Sequence, residues 1–268
     1  MDSLIPQETL IKFGFKWGKS GAHSSRTIML AELQSLFSVT PVSATLEHYQ
    51  TEIITHNCLN KSTENTRKLT FRHLKDLYGL ESQQALFRVF RLFWESDLNA
   101  QGLLALQLAY ARDTLLRKSS DCILVHKPGE HIKRDEMEAL LSKDTIDRFS
   151  AASLKSLAQN INSSWTQAGY LKGKGIKIRQ HPTISPINVS YALFQGYLCG
   201  LSGERLFNSA WIKLLHTPLE TLQTLASAAS YRGLIDYKES GGVIDVRFNH
   251  FLSPDEQRLL QTHYQTVT

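Results

Sequence analysis

Lys172, Lys174, Lys177 and Arg179 fall within eight residues, and His181 stands just behind them. Cations at this spacing do one kind of chemistry well. Each one set beside a phosphate releases counterions condensed on a polyanion, so clustering them raises affinity for nucleic acid. From Ala151 to Gly203 the chain holds no Asp or Glu that would cancel the charge. Immediately upstream, Leu154, Leu157, Ala158, Ile161 and Trp165 recur at helical spacing and define a buried face. Lys155, Gln159, Asn162, Ser163 and Gln167 then point away from it. Gln and Asn amides can pair with the adenine edge in a major groove, whereas a catalytic site would need titratable groups, and only Lys155 is one. The candidate DNA contacts are therefore Lys155, Gln159, Asn162, Lys172, Lys174, Lys177, Arg179 and His181. A Lys-rich turn after an amphipathic helix also arises as a plain solvated loop.

A second basic surface is written in the stretch from Glu64 to Gly79. Lys68, Arg72 and Lys75 repeat at i, i+4 and i+7 with Arg67 beside them, opposite the apolar Leu69, Leu74, Leu77 and Tyr78. The same spacing describes a solvated helix face, and both readings stay open. Catalytic signatures are missing: there is no HExxH, GxSxG or GxGxxG pattern and no carboxylate pair. The Gly18-Lys19-Ser20 triplet lacks the glycine five residues earlier that a phosphate loop requires, because Phe13 stands there. His126 and His131 have no Cys or acidic partner at ligand spacing, so no metal site and no cofactor are expected.

The elements that must carry these residues are mostly helices. Ser150 can cap the helix before the basic stretch and Gly169 can end it, after which Gly173 and Gly175 permit a tight turn between short strands. Helix, glycine turn and basic strand together suggest a winged helix. A parallel unit follows: Thr217-Pro218 opens a helix that leads into YRGLIDYKESGGVIDVRF, two alternating strands around Ser240-Gly241-Gly242. This second hairpin carries acids as well as bases and makes the poorer wing. Upstream, QALFRVFRLFWES and GLLALQLAYARDTLL are apolar nearly all round and read as the central helices of one N-terminal helical domain. The Arg91–Glu95 pair at their edge reads as a surface ion pair. CILV, from Cys122, looks strand-like, and Lys127-Pro128-Gly129 is the best linker signal in the chain. The expected architecture is mainly α: a helical domain over residues 1–127, then a helical domain over 128–268 with winged-helix-like β-hairpins.

Composition agrees with a folded protein that prefers anionic partners. The chain has 268 residues, 42% of them hydrophobic, and a formal net charge of +5. Cys58, Cys122 and Cys199 are odd in number and far apart, which suits a reducing cytoplasm better than a disulfide framework. The N-terminal residues lack a basic-then-apolar leader, and the longest apolar stretches, such as Tyr191 to Leu201, are too short for a bilayer. A cytoplasmic protein with no membrane partner and no small-molecule substrate is expected.

Three tracts in order, SGAHSSRTIMLAEL, ALFRVFRLFWESD with LLALQLAYARDTLLR, and SSWTQAGYLKGKGIKIRQHP, resemble the BrxA family of BREX phage-exclusion systems. The resemblance runs from about Lys19 to Phe251. It implies a helical fold akin to NusB and a non-catalytic role in binding double-stranded DNA beside a methyltransferase and other BREX subunits. Two other readings remain open: an RNA-binding protein of the NusB sort, and an adaptor of the defence complex with an incidental basic surface.

Overall fold

The computed structural model of the chain describes residues 3–18, 22–143, 149–248 and 250–264, so Lys19 and Ser20 of the GKS triplet lie outside the described residues. In chain order the helices are α1 Gln7–Phe13, α2 Leu30–Val39, α3 Leu46–Ile54, α4 Glu64–Tyr78, α5 Ala85–Trp94, α6 Gln101–Arg112 and α7 Thr114–Ile123, followed by α8 Arg134–Ser142 and α9 Ala151–Gln167. Then come α10 Pro186–Leu198, α11 Glu204–Phe207, α12 Ala210–Leu214, α13 Leu219–Tyr231 and α14 Pro254–Tyr264. The strands are β1 His131–Ile132, β2 Leu171–Lys172, β3 Lys177–Arg179, β4 Asp236–Ser240 and β5 Val243–Arg247. The protein is mainly α with small β-hairpins, as the sequence pattern predicts. No helix among the described residues is long and apolar enough to cross a membrane.

The chain divides into two compact units, and neither is a continuous segment. One unit comprises residues 1–15, 84–100 and 183–268; the other comprises 16–83 and 101–182. The boundary expected near Pro128 therefore falls inside the second unit. Lys127-Pro128-Gly129 is a turn stitched to β3, with the Gly129 amide donating to the Arg179 carbonyl at 2.9 Å and the Arg179 amide donating to the Glu130 carbonyl at 2.8 Å. The expectation that α5 and α6 share one core is also corrected, because the chain passes from one unit to the other between Ala100 and Gln101. Both helices are buried nearly all round, and that pattern reports burial without naming the core. CILV is no strand: Cys122 and Ile123 are the last residues of α7.

The second unit has a specific order after α7. Helix α7, strand β1, helices α8 and α9, then strands β2 and β3 follow one another, and the sheet is ordered β1-β3-β2 with both pairings antiparallel. In this order α9 leads directly into the β2–β3 hairpin, called the wing below. The core of the second unit includes Leu157, Ile161, Trp165 and Tyr170, all fully buried. The Trp165 and Tyr170 rings meet edge to face at 4.8 Å, and Trp165 Nε1 donates to Ser119 Oγ at 2.7 Å.

The first unit carries the other helix-and-hairpin. Its α10 is buried along almost its whole length and packs on α12 and α13. Phe93, Phe194, Phe248 and Phe251 close the core around it, with Phe93–Phe251 and Phe194–Phe248 ring centroids both 5.4 Å apart. Arg91 is in this core at 1% exposure while Glu95, 2.8 Å away, stays outside, so the pair is not the surface ion pair expected.

Candidate nucleic-acid interface

Helix α9 forms where the sequence says it should. Ser150 Oγ accepts the Ser153 amide at 3.2 Å, and Gly169, at φ +85°, takes the left-handed position after the last turn. Lys155, Ser156 and Gln159 stand exposed on the face away from Leu157, Ile161 and Trp165. Asn162, expected on the same open face, is only 4% exposed, and its Oδ1 accepts no hydrogen bond among the described residues. It sits at the rim of the apolar stripe, where a 3.6-residue repeat places it within a turn of Ala158 and Trp165.

The wing presents Lys172 and Lys174 to solvent, with no ion-pair partner among the described residues. Lys177 is half-buried and donates to the Gly173 carbonyl at 2.7 Å across the turn, and desolvation holds its ammonium below the ordinary lysine pKa. His181 is exposed just beyond β3.

Arg179 corrects the sequence expectation. It is 1% exposed and cannot reach a phosphate. Its Nε donates to the Ile123 carbonyl at 3.1 Å, its Nη1 to the Tyr170 and Gln180 carbonyls, and its guanidinium lies 5.1 Å from the Tyr170 ring centre. Three strand positions alternate faces, so with Lys177 turned outward Arg179 would share its side of the sheet. The difference is that β3 is the central strand, and Arg179 is enclosed by the end of α7 and the ring of Tyr170. Burial pulls its pKa below the ordinary arginine value, but by the charge-delocalised chemistry of guanidinium it remains a cation.

Between α9 and the hairpin runs a groove of about 350 Å³ lined by Ile132, Arg134, Gln159, Asn162, Ser163, Lys174, Gly175 and Lys177. Two amides, a hydroxyl and three cations face it. Arg134 contributes least charge, since its Nε lies 2.7 Å from Glu138 Oε1 and its Nη2 lies 3.5 Å from Asp135 Oδ1. Lys174 and Lys177 have no carboxylate beside them among the described residues.

The stripe on α4 is not the uniform basic face its spacing suggests. Arg67 is half-buried and donates to the Ile54 carbonyl at 2.6 Å. Lys68 pairs with Glu64 at 2.6 Å, and Lys75 pairs with Glu81 at 3.6 Å. Arg72 makes no ion pair among the described residues and opens instead into a cavity of about 820 Å³ with Arg26, His73, Lys75 and Arg112. Sequence reasoning missed Arg26 and Arg112 because they come from a turn and from the end of an all-round apolar helix, where no periodicity marks them.

Sequence reasoning also missed a buried Ser–His–Asp set. His23 Nδ1 lies 2.7 Å from Asp113 Oδ2, and His23 Nε2 lies 3.0 Å from Ser164 Oγ. The three are 90 and 141 residues apart in sequence, so no motif could have joined them. The geometry is that of a nucleophile and its base, but all three are buried: His23 and Ser164 are 0% exposed. Ser164 Oγ also accepts the Ile28 amide at 3.0 Å, Asp113 Oδ1 caps α7 by accepting the Leu115 and Leu116 amides, and Asn160 Nδ2 donates to the His23 carbonyl at 3.0 Å. Every partner is a structural one, and together they tie the Ala22–Ser24 turn to α7 and α9. His126, the other histidine considered, lies 2.8 Å from the Cys122 carbonyl through Nδ1 and 3.4 Å from Glu136 through Nε2.

No protein-family model matches this chain, and no curated protein matches it.

Proposed function

We propose that this protein binds duplex DNA through α9 and the β2–β3 wing, as a non-catalytic component of a BREX-type phage-defence system. The observation that carries the reading is the groove between α9 and the wing, where Lys174 and Lys177 meet the exposed amide of Gln159 and no carboxylate among the described residues lines the wall. Gln159 is exposed on this groove and can pair with an adenine edge while the lysines take phosphates. Lys155 and Lys172 extend the same basic surface to either side. The three tracts that resemble BrxA are the reason for placing this DNA-binding unit in phage defence, beside a methyltransferase and other BREX subunits in the cytoplasm.

Four lysines remain as phosphate partners once Arg179 is set aside: Lys155, Lys172, Lys174 and Lys177. At about 0.9 per neutralised phosphate they give a log-affinity against log-salt slope near −3.6 for duplex DNA. The test is a salt titration with duplex DNA, single-stranded DNA and structured RNA. RNA bound more tightly than duplex DNA at every salt concentration, or a slope near zero, overturns the reading in favour of an RNA binder or an adaptor.

The non-catalytic part of this proposal is supported by the missing sequence signatures and by the enclosure of Ser164. An acylating serine must present its Oγ to substrate, and this one faces His23, Ile28 and Asn160 inside the fold. A serine-reactive fluorophosphonate is expected to leave Ser164 unlabelled in the folded protein. Stoichiometric labelling at that residue would show an accessible nucleophile and end the non-catalytic reading.

A further inference from the structure

The cavity beside α4 carries more than the stripe it interrupts. We infer that the concavity walled by the Ser24–Arg26 turn, α4 and the end of α6 is a binding site for a compact oligophosphate group, separate from the wing. It is lined by Arg26, Arg72, His73, Lys75, Asp76 and Arg112, and its volume of about 820 Å³ falls within the range of small-molecule sites.

The charge balance inside it is lopsided. Asp76 is the sole carboxylate among its lining residues, and Lys16 pairs with it from outside the lining set. Lys75 is shared with Glu81 at 3.6 Å. The guanidinium of Arg26 is held by the Ser25 carbonyl at 2.9 Å and has no carboxylate partner among the described residues, nor has that of Arg72. Guanidinium groups present paired N–H donors in a plane that matches carboxylate or phosphate oxygens, and several of them around one concavity favour a multiply charged oligophosphate over a monovalent anion.

No Phe, Tyr or Trp lines the cavity, and its lining is dominated by cations that suit phosphates. The turn that carries Arg26 is fixed before any ligand arrives: the Arg26 amide donates to the Ala22 carbonyl at 2.9 Å, and neighbouring His23 is held by Asp113, Ser164 and Asn160. This gives the buried Ser–His–Asp set a positioning role, holding one wall of the cavity at a set distance from α4.

His73 reports the field in the cavity. Its imidazole is held below the ordinary histidine pKa, by burial first and then by Arg26 and Arg72, while Asp76 acts weakly the other way. Arg112 on α6 and Ser25 Oγ, 3.4 Å from Nε2, are the other groups around it. An anion among these cations offsets their part of the depression and raises the His73 pKa.

An oligophosphate group of this kind comes either as the phosphate chain of a nucleotide or as consecutive backbone phosphates of a nucleic acid. The experiment uses the full chain with Lys172, Lys174 and Lys177 replaced by Ala, so that the wing contributes nothing. Sodium tripolyphosphate, ATP and a short DNA duplex are titrated separately by calorimetry, with the His73 imidazole followed by NMR across pH. Saturable tripolyphosphate binding with a raised His73 pKa, weakened at least about tenfold by Arg72→Gln and by Arg26→Gln, is the expected result. Arg72 is exposed, so its variant keeps the fold even if the Arg26 variant does not. Equal responses to tripolyphosphate and ATP assign the site to a free phosphate chain; a response to duplex alone assigns it to a backbone. If none of the three ligands moves His73, or if binding is unchanged in Arg72→Gln, the inference fails, whatever the wing does.

Discussion

The α9–β2–β3 segment and the α13–β4–β5 segment have the same order of helix and hairpin and opposite plans for their charge. In the second hairpin the register sets Asp236 directly across from Arg247 and Lys238 across from Asp245, and Arg247 also reaches Asp245 at 2.9 Å. Opposite charges facing each other across a ladder cancel locally and add a few tenths of a kcal/mol to about 1 kcal/mol of pairing. In the first hairpin Lys172 faces Ile178 and Leu171 faces Arg179, with no acid on either strand. Its exposed lysines face no carboxylate among the described residues, and its buried Arg179 is held by carbonyls without being neutralised. A hairpin that neutralises itself can be held by its own ladder of five residue pairs; one that keeps its charge outward has two pairs and is anchored from below.

The largest separation between the two is expected in DNA binding. Replacing Lys172, Lys174 and Lys177 with Ala should remove close to three units from the salt slope, at about 0.9 per phosphate partner. Replacing Lys238 and Arg247 should change it by about half a unit or less, since those charges already face Asp245 and Asp236. Both variants stay folded if exposed charge-to-Ala changes cost about 0.5 kcal/mol or less each. A larger loss in the second hairpin would break the comparison and move the DNA surface to the first unit.

Stability should rank the hairpins through their arginines. Arg179→Ala strips the donor from the Ile123, Tyr170 and Gln180 carbonyls and empties the space beside Tyr170, so a loss of about 3 kcal/mol or more is expected in urea denaturation. Arg247→Ala, at a side chain 64% exposed, should stay within about 0.5 kcal/mol. Arg179→Lys should recover only part of the loss, because an ammonium cannot serve three carbonyls from one plane. Equal midpoints for the Arg179 and Arg247 Ala variants would mean that the first hairpin does not depend on its buried anchor.

Much of the fold was legible because helix ends and hairpin turns are local. Ser150 caps the helix it was expected to cap, Gly169 ends that helix at positive φ, and the turn at Gly241-Gly242 separates β4 from β5. The 7-residue α1 was missed because so short a run shows barely two turns of periodicity. What sequence could not show is which buried helix belongs to which core, as with α5 and α6, or where a cation points once a distant segment covers it. Arg179 reads as a wing contact from its neighbours Lys174 and Lys177, and its burial depends on Ile123, 56 residues away. The cavity around Arg72 was half visible as a stripe, and its other half, Arg26 and Arg112, lies on segments whose approach is set by the buried contacts of His23.

The smallest predicted difference concerns the turns. Gly173 sits at φ +98°, and a Cβ there would lie 2.2 Å from the Ile176 carbonyl oxygen, so Gly173→Ala must open the turn as well as bear a left-handed backbone. Gly241 is also left-handed, at φ +58°, but a Cβ there meets nothing within 4 Å. Gly241→Ala should therefore cost only the backbone penalty of roughly 1 kcal/mol, and Gly173→Ala roughly 2 kcal/mol or more. The consequence for DNA differs too. Opening the first turn breaks the Lys177 bond to the Gly173 carbonyl and moves Lys174 relative to α9 while leaving every charge in place. Affinity at fixed salt should then fall several-fold with the salt slope nearly kept, which separates loss of geometry from loss of charge; Gly241→Ala should alter neither. Unchanged affinity in a Gly173→Ala protein that melts lower would show that the wing binds as a loose cluster of cations and that its turn serves the fold alone.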